Sequence, residues 1–463
     1  MDVIATRQRW THGYAFVLAA TASAVGLGNI WKFPYILGQN GGGAFLLIYL
    51  GCIALIGIPV MMAEVMIGRR GRRSPGYAAL AVARESRAHD TWAIVGWIGI
   101  LALFLIMTFY VVVAGWVFAY VPQAASGAFA GASPGEVSVT FQAITTSGPG
   151  MLFWTTLVIL GTCAVVALGL RNGLERWAGW LMPLLFVLLL VAMGSAMLIG
   201  DVSRALEFMF FPDFAALDSH SILIAVGHAF FTMTLASGVL MMFGAYLPQE
   251  TSIAGTAIGV AIADTAIALF AGLAIFPIVF AYGLDPAAGP GLMFEALPLA
   301  LSAIPAGVLL ATVFFAVLSI GVFSTMLANV QVFVHLLRER FGMHPAGAAM
   351  VSGLAIWGLS LVTIASFTGA EWAQIELTLL GRELPTLYHL MEHASINILL
   401  PLSGLLIALF AGWVIPRHIA TMEMGPNRTA YPLWRVIMRY LAPVALLGLF
   451  WQLSDLGGHL PLA

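Results

Sequence analysis

The chain has 463 residues, 61% of them hydrophobic and 9% charged, with a formal net charge of -2. So few charges cannot solvate the surfaces of soluble domains, so the composition points to an integral membrane protein and excludes a nucleic-acid-binding surface. The two cysteines, Cys52 and Cys163, both lie in apolar runs and provide neither a disulfide framework nor a metal-ligand spacing.

Apolar segments long enough to cross a bilayer, about 20 residues each, fall near 12–37, 43–68, 92–122, 151–170, 178–200, 221–247, 253–283, 305–337, 346–368, 386–415 and 433–453. The expectation is an all-α chain of about eleven spans, with no soluble domain, long linker or low-complexity tract. Apart from Lys32, Arg204 and Arg382, the basic residues sit in the N-terminal tail or in every second loop, among them Arg69, Arg70, Arg72, Arg73, Arg338, Arg340, Arg417 and Arg439. The positive-inside rule then places the N-terminus in the cytoplasm, and an odd number of spans leaves the C-terminus outside, periplasmic or extracellular. The alternative for the first segment is a secretory signal, because Arg7 and Arg9 precede an apolar run with small residues at Ala20, Ala22 and Ala24. Hydrophobicity continues past that point to Gly38, which favours a span.

The first span is interrupted near its middle by Ser23-Ala24-Val25-Gly26-Leu27-Gly28-Asn29. The sixth repeats the oddity with Thr232-Met233-Thr234-Leu235-Ala236-Ser237-Gly238. A helix break frees backbone N–H and C=O groups that lipid cannot satisfy, so each break should line a cavity that holds an ion or polar ligand. Freed N–H groups favour a carboxylate and freed carbonyls a cation. Breaks five spans apart are what two five-helix repeats of inverted topology would give, an arrangement of secondary transporters. The expected organisation is repeat 1 over 1–200, repeat 2 over 201–416, and a loop with one extra helix over 417–463.

SAVGLGNIWKFPY at 23–35, followed by NGGGAFLLIYL at 40–50, strongly resembles the first two helices of the neurotransmitter:sodium symporters, in particular the bacterial leucine-transporter type. Phe109-Tyr110, Phe231-Thr232, Asp264, Ser324-Thr325 and NILLPLSGLLIALFAGW at 397–413 extend the resemblance over nearly the whole chain. It implies a 5+5 inverted-repeat core with broken helices 1 and 6, two sodium sites, a central amino acid site and transport by alternating access. For the first sodium ion it implies the carbonyl of Ala24, the amide oxygen of Asn29, the carbonyl and hydroxyl of Thr232, and Asp264. For the second it implies the carbonyls of Ala22, Val25 and Gly321 with the hydroxyls of Ser324 and Thr325. A shift of three or four residues in the eighth span would bring in Ser319 in place of Gly321, and the two hydroxyls have an ordinary alternative in bonding back to their own helix. Asp264 would supply a negative charge itself, so chloride would not be required; its alternative is a protonated acid between helices.

The resemblance further implies that a substrate carboxylate meets the N–H groups of Leu27 and Gly28, the Tyr110 hydroxyl and the first sodium, with the amine near Ala24, Phe231 and Thr234. Ile106, Val113, Phe231, Thr232, Thr234, Ser237, Thr325 and Asn329 would complete the pocket. Ser237 and Asn329 depart from the leucine-selective pattern toward more room and polarity, which suggests tyrosine or tryptophan; Asn329 bonding a neighbouring helix is an equal alternative. Lys32, Phe231 and Glu392 would form an outer gate, and Arg7, Trp10 and Glu339 an inner one. Lys32 otherwise snorkels and Arg7 otherwise anchors. His228 stands near the outer gate, where it would add pH sensitivity or simply form a hydrogen bond.

The expected function is thus sodium-coupled import of a neutral amino acid, with an aromatic one the favoured case, through a bacterial inner membrane, with amino acid and lipid bilayer as partners. A proton-coupled or exchanging carrier using Asp264 or Glu64 is the alternative, and pairing with backbone freed in the sixth span is the other role open to Glu64. A non-transporting sensor lacks an output domain here. An enzyme would need a zinc-type motif, paired aspartates or a nucleophile elbow, and none is seen. Oligomeric state is not legible.

Overall fold

The computed structural model describes residues 10–217, 219–287, 291–302, 306–379, 382–424 and 431–453. The Asn427-Arg428-Thr429 sequon and Arg7 lie outside them.

Breaks and long apolar helices alternate along the chain. Helix α1 (Gly13–Ala24) is followed by α2 (Gly28–Gln39), bent from it by 56°. Then come α3 (Gly43–Gly71), a short α4 (Pro75–Glu85) and α5 (Asp90–Ala125). The short α6 (Pro134–Thr146) leads to α7 (Gly148–Val166) and α8 (Leu170–Ile199). After α9 (Val202–Phe210), the sixth span is divided into α10 (Ser219–Thr232) and α11 (Val239–Ala245). The remainder is α12 (Ile253–Ala281), α13 (Leu292–Leu301), α14 (Gly307–Phe341), α15 (Pro345–Phe367), α16 (Leu387–Val414), α17 (Arg417–Glu423) and α18 (Tyr431–Gln452). Among the described residues, nine helices are long and apolar enough to cross a membrane, and the bent α1–α2 pair makes a tenth. The divided sixth span brings the architecture to the expected figure of about eleven.

The connections between spans carry regular structure of their own. An antiparallel hairpin of β1 (Gln374–Leu379) and β2 (Arg382–Thr386) precedes α16. The short helices α4, α6, α9, α13 and α17 do not show as 20-residue apolar runs because each is shorter than such a run.

Five helices widen into a π-turn that ends two residues before a proline of the same helix: Gly28–Lys32 before Pro34, Ile53–Gly57 before Pro59, Leu292–Ala296 before Pro298, His393–Leu399 before Pro401 and Ile437–Leu441 before Pro443. Proline lacks an N–H and its ring crowds the carbonyl four residues back, so the widened turn keeps the chain helical where an ordinary turn would clash. Close packing holds the second half of the sixth span. A Cβ on Gly68 of α3 would fall 1.8 Å from the Met241 carbonyl, and one on Gly244 of α11 would fall 2.5 Å from the Val65 carbonyl. At the end of α3, Arg69 is 1% exposed; its Nε donates to Glu423 Oε2 at 2.7 Å and its Nη1 to the Thr251 carbonyl at 2.6 Å. Removing either partner of so buried a pair leaves the other charge uncompensated.

Candidate functional site

The site begins with the two breaks. Val25 ends α1 in an extended conformation (φ −76°, ψ 101°), and the helix resumes at Gly28. In the sixth span the backbone turns left-handed at Thr234 (φ 53°), Ala236 (φ 63°) and Gly238 (φ 81°). Two of these are not glycine, a conformation that persists only where the surroundings hold it. They do so here: the Thr234 hydroxyl donates to the Ser23 carbonyl at 2.8 Å, the Ala236 N–H donates to Glu64 Oε1 at 2.6 Å, and the Ser403 hydroxyl donates to the Ala236 carbonyl at 2.7 Å. The first of these ties one break directly to the other. Glu64 therefore caps freed backbone, the second of the two roles the sequence left open for it.

One cluster of oxygen lies between α2 and α12. Asn29 Nδ2 donates to Asp264 Oδ1 at 2.7 Å and to the Asp264 carbonyl at 3.0 Å. Among the described residues, Asn29 Oδ1 and Asp264 Oδ2 are buried without a hydrogen-bond partner, both residues being fully enclosed. The Thr232 hydroxyl, also fully buried, is 3.3 Å from the Tyr49 hydroxyl.

A second cluster gathers on Thr325 of α14. Its hydroxyl lies 3.3 Å from the Ala22 carbonyl, 3.1 Å from that of Val25 and 3.2 Å from that of Gly321. One hydroxyl proton cannot satisfy three carbonyls, so the group presents an excess of hard oxygen, a donor set suited to a small hard cation. A Cβ on Gly321 would lie 3.4 Å from the Val25 carbonyl, so this residue packs on the broken end of α1. The Ser324 hydroxyl bonds back to Ile320 at 2.8 Å, which leaves its lone pairs free, and Ser319 Oγ is buried without a partner.

Against Thr325 lies a cavity of ≈ 40 Å³ whose wall includes Ala24, Leu27, Gly28, Ile106, Tyr110, Phe231, Thr234, Ser237, Thr325 and Asn329. Gly26 is needed for the wall to close: a Cβ there would lie 2.5 Å from the Tyr110 hydroxyl and 2.7 Å from Thr325 Oγ1. The Tyr110 hydroxyl is buried beside Thr325 and Leu27, and Asn329 Oδ1 is buried without a partner among the described residues. Among the described residues Asn329 makes no hydrogen bond to a neighbouring helix, the alternative the sequence had offered. Val113 and Thr232 are buried but are not part of this wall. Leu103, Met107, Phe230, Leu235 and Leu400 line it and went unnoticed in the sequence. Leu103 and Met107 share the α5 face of Ile106 and Tyr110 by helical spacing, a signal that would have found them.

The gates are placed less completely. Lys32 Nζ sits 4.4 Å from the centroid of the Phe231 ring, and Glu392 acts on it electrostatically without reaching ion-pair distance among the described residues. The expected Lys32–Glu392 bridge is replaced by a cation–π contact, since an ammonium on a flexible stem finds a ring face nearer than the carboxylate. On the other side, Trp10 donates through Nε1 to the Phe243 carbonyl at 3.0 Å and packs edge-on to Phe16, Phe243 and Tyr246. Glu339 accepts from the Ser74 N–H at 2.7 Å and lies 3.8 Å from Arg73. Arg7 falls outside the described residues, so its pairing with Glu339 is not seen.

The family model described as the sodium:neurotransmitter symporter family matches residues 7–140 and 135–453. An uncharacterized sodium-dependent transporter of Bacillus subtilis, YhdH, is 32% identical over 450 residues, covering 96% of this chain and 97% of the relative. Another from Haemophilus influenzae is 31% identical over 454 residues, covering 96% and 97%. Among solved structures, that of MhsT in complex with L-phenylalanine matches with a TM-score of 0.86 and 36% identity over 97% of this chain and 100% of that one.

Proposed function

The chain belongs to the sodium:neurotransmitter symporter family, and on that footing we propose that it imports a neutral amino acid with an aromatic side chain together with two sodium ions, by alternating access and without chloride. Membership makes it a multi-pass, sodium-dependent membrane symporter and not an enzyme. The finer reading is supported by one observation: both helix breaks line one cavity, with Thr325 in its wall and the Asn29–Asp264 oxygens next along the chain from Gly28 of that wall.

In this reading the first sodium takes Asn29 Oδ1 and Asp264 with the Ala24 carbonyl and Thr232. The second takes the carbonyls around Thr325, with Ser324. The substrate carboxylate takes the buried Tyr110 hydroxyl and the N–H groups of Leu27 and Gly28. The first sodium would lie against that carboxylate, so ion and substrate would stabilise each other. The cavity of ≈ 40 Å³ is smaller than an aromatic side chain, so binding requires Phe231 and Met107 to move outward. Asn329 Oδ1 would accept from a phenol or indole N–H, and the L-phenylalanine bound in MhsT supports the aromatic class. Asp264 supplies a fixed negative charge beside the first sodium, which is why chloride is dispensable. The two inverted repeats, 1–200 and 201–416, would rock about this centre, between an outer gate of Lys32, Phe231 and Glu392 and an inner one of Arg7, Trp10 and Glu339. The membrane would be a bacterial inner membrane with the N-terminus in the cytoplasm.

The test is uptake of a radiolabelled panel of twenty amino acids, taurine and γ-aminobutyrate into proteoliposomes, with an inward sodium gradient against an equal potassium gradient. Sodium-driven accumulation of the aromatic amino acids, unchanged when gluconate replaces chloride, is expected. Uptake indifferent to sodium would move the reading to a proton-coupled carrier, and binding without uptake to a sensor.

A further inference from the structure

Where α16 ends and α18 begins, three arginines crowd one seam. Arg435 Nη1 donates to the Ile415 carbonyl and to the Tyr431 hydroxyl, each at 2.9 Å, and Arg439 Nε donates to the Gly412 carbonyl at 2.8 Å. The guanidinium of Arg417 lies 5.8 Å from the centroid of the Tyr431 ring, and that of Arg435 lies 5.9 Å from the same centroid. The two helices touch here, since a Cβ on Gly412 would fall 2.8 Å from the Met438 carbonyl. Three like charges held side by side repel one another, yet among the described residues none of the three forms an ion pair. Glu423, at the far end of α17, is taken by Arg69 and Arg70, and Glu85 by Arg70. The bonds to α16 use Nη1 of Arg435 and Nε of Arg439, which leaves the other N–H groups of each fork without an acceptor among the described residues.

The surface beside the seam is apolar and faces outward. Trp413 and Tyr440, each more than half exposed, pack edge to face with centroids 5.7 Å apart, and the Arg439 guanidinium lies 5.1 Å from the Trp413 ring. From there Val436, Tyr440, Val444, Leu447 and Trp451 run along α18 as one exposed stripe at helical spacing. Tryptophan and tyrosine gather where a membrane's headgroups meet its hydrocarbon, so a stripe running on from such a pair lies along acyl chains.

We propose that this seam is a binding site for one anionic phospholipid, with its phosphate among Arg417, Arg435 and Arg439 and an acyl chain along the α18 stripe. Guanidinium forks match phosphate oxygens in pairs, and basic pockets between spans recognise headgroups in this way. A zwitterionic lipid brings its own cation against three arginines and binds more weakly. A soluble phosphate leaves the stripe uncovered and gains only the polar half of the interaction.

The test is native mass spectrometry of the full chain, stripped of lipid in detergent and titrated with dioleoylphosphatidylglycerol or dioleoylphosphatidylcholine, with and without excess glycerol 3-phosphate. One phosphatidylglycerol per chain is expected, held about tenfold more tightly than phosphatidylcholine and not displaced by glycerol 3-phosphate. Arg435→Gln and Arg439→Gln should each weaken it about fivefold and leave phosphatidylcholine unchanged. Arg417→Gln should do the same, and since its guanidinium makes no hydrogen bond among the described residues, this variant keeps the test open if the other two fail to fold. Arg340→Gln, which removes an exposed arginine from the end of α14, controls for the general attraction of lipid to positive charge and is expected to change nothing. Equal retention of the two lipids, displacement by glycerol 3-phosphate, or a loss in Arg340→Gln as large as in Arg417→Gln overturns the proposal.

Discussion

Thr325 shows what a single side chain contributes at this site. Its hydroxyl is the point where carbonyls from two helices meet, and valine would keep the shape while deleting that oxygen. In Thr325→Val the sodium concentration for half-maximal uptake is expected to rise about tenfold, equivalent to about 1.4 kcal/mol. An unchanged sodium dependence would remove Thr325 from the second cation site. In the proposed reading Asn329 would govern selectivity instead: with Oδ1 buried and unpaired among the described residues, it would discriminate by leaving a polar atom unsatisfied when the substrate brings no donor. Asn329→Leu is expected to lower the uptake ratio of tyrosine to phenylalanine about tenfold, read from competing radiolabelled uptake; an unaltered ratio would mean the residue does not touch the ring. Asn29, Tyr110 and Thr325 were legible as candidates because their residue types sit at motif positions. The direction in which Lys32 points was not, since a flexible side chain chooses among nearby partners only once these are packed around it.

Individual helices owe their shape to backbone groups that must be satisfied in an apolar interior. The break over 233–238 holds because Glu64 and Ser403 reach it from neighbouring spans. Glu64→Ala would leave the Ala236 N–H unpaired and is expected to cost about 1–3 kcal/mol. A lowered melting temperature of the detergent-purified protein checks this, with Glu64→Gln retaining most of the stability because it keeps an acceptor. Equal melting temperatures for Glu64→Ala and the parent chain would show that water reaches the break. Both breaks were readable from small and hydroxyl residues in the middle of apolar runs. The partners that stabilise them were not, because Glu64 and Ser403 are 172 and 167 residues from Ala236 along the chain. The π-turns were also hidden, although most precede a proline, since proline marks where a helix must adapt without saying whether it kinks, ends or widens.

At the scale of the whole molecule, the proposed coupling is electrogenic. Two sodium ions with a zwitterion move two charges, worth about 4.6 kcal/mol per 100 mV. That corresponds to roughly a thousandfold in accumulation. Proteoliposomes clamped with valinomycin and graded potassium gradients are expected to show this steepness; half of it in free energy would indicate a single coupled ion. The ions and the substrate drive the cycle only if each prefers one conformation, as a ligand of equal affinity for both shifts nothing. The sequence by itself determined the membrane class, the approximate number of spans, the positions of the two breaks and the family, because all of these follow from local composition and contiguous motifs. Tertiary structure alone decided that the Ala22, Val25 and Gly321 carbonyls meet at one hydroxyl, that Lys32 lies on Phe231 without reaching Glu392, and that Arg435 and Arg439 bond carbonyls at the end of α16. These depend on which helix faces come together, and that is set by packing among segments hundreds of residues apart, which no local pattern encodes.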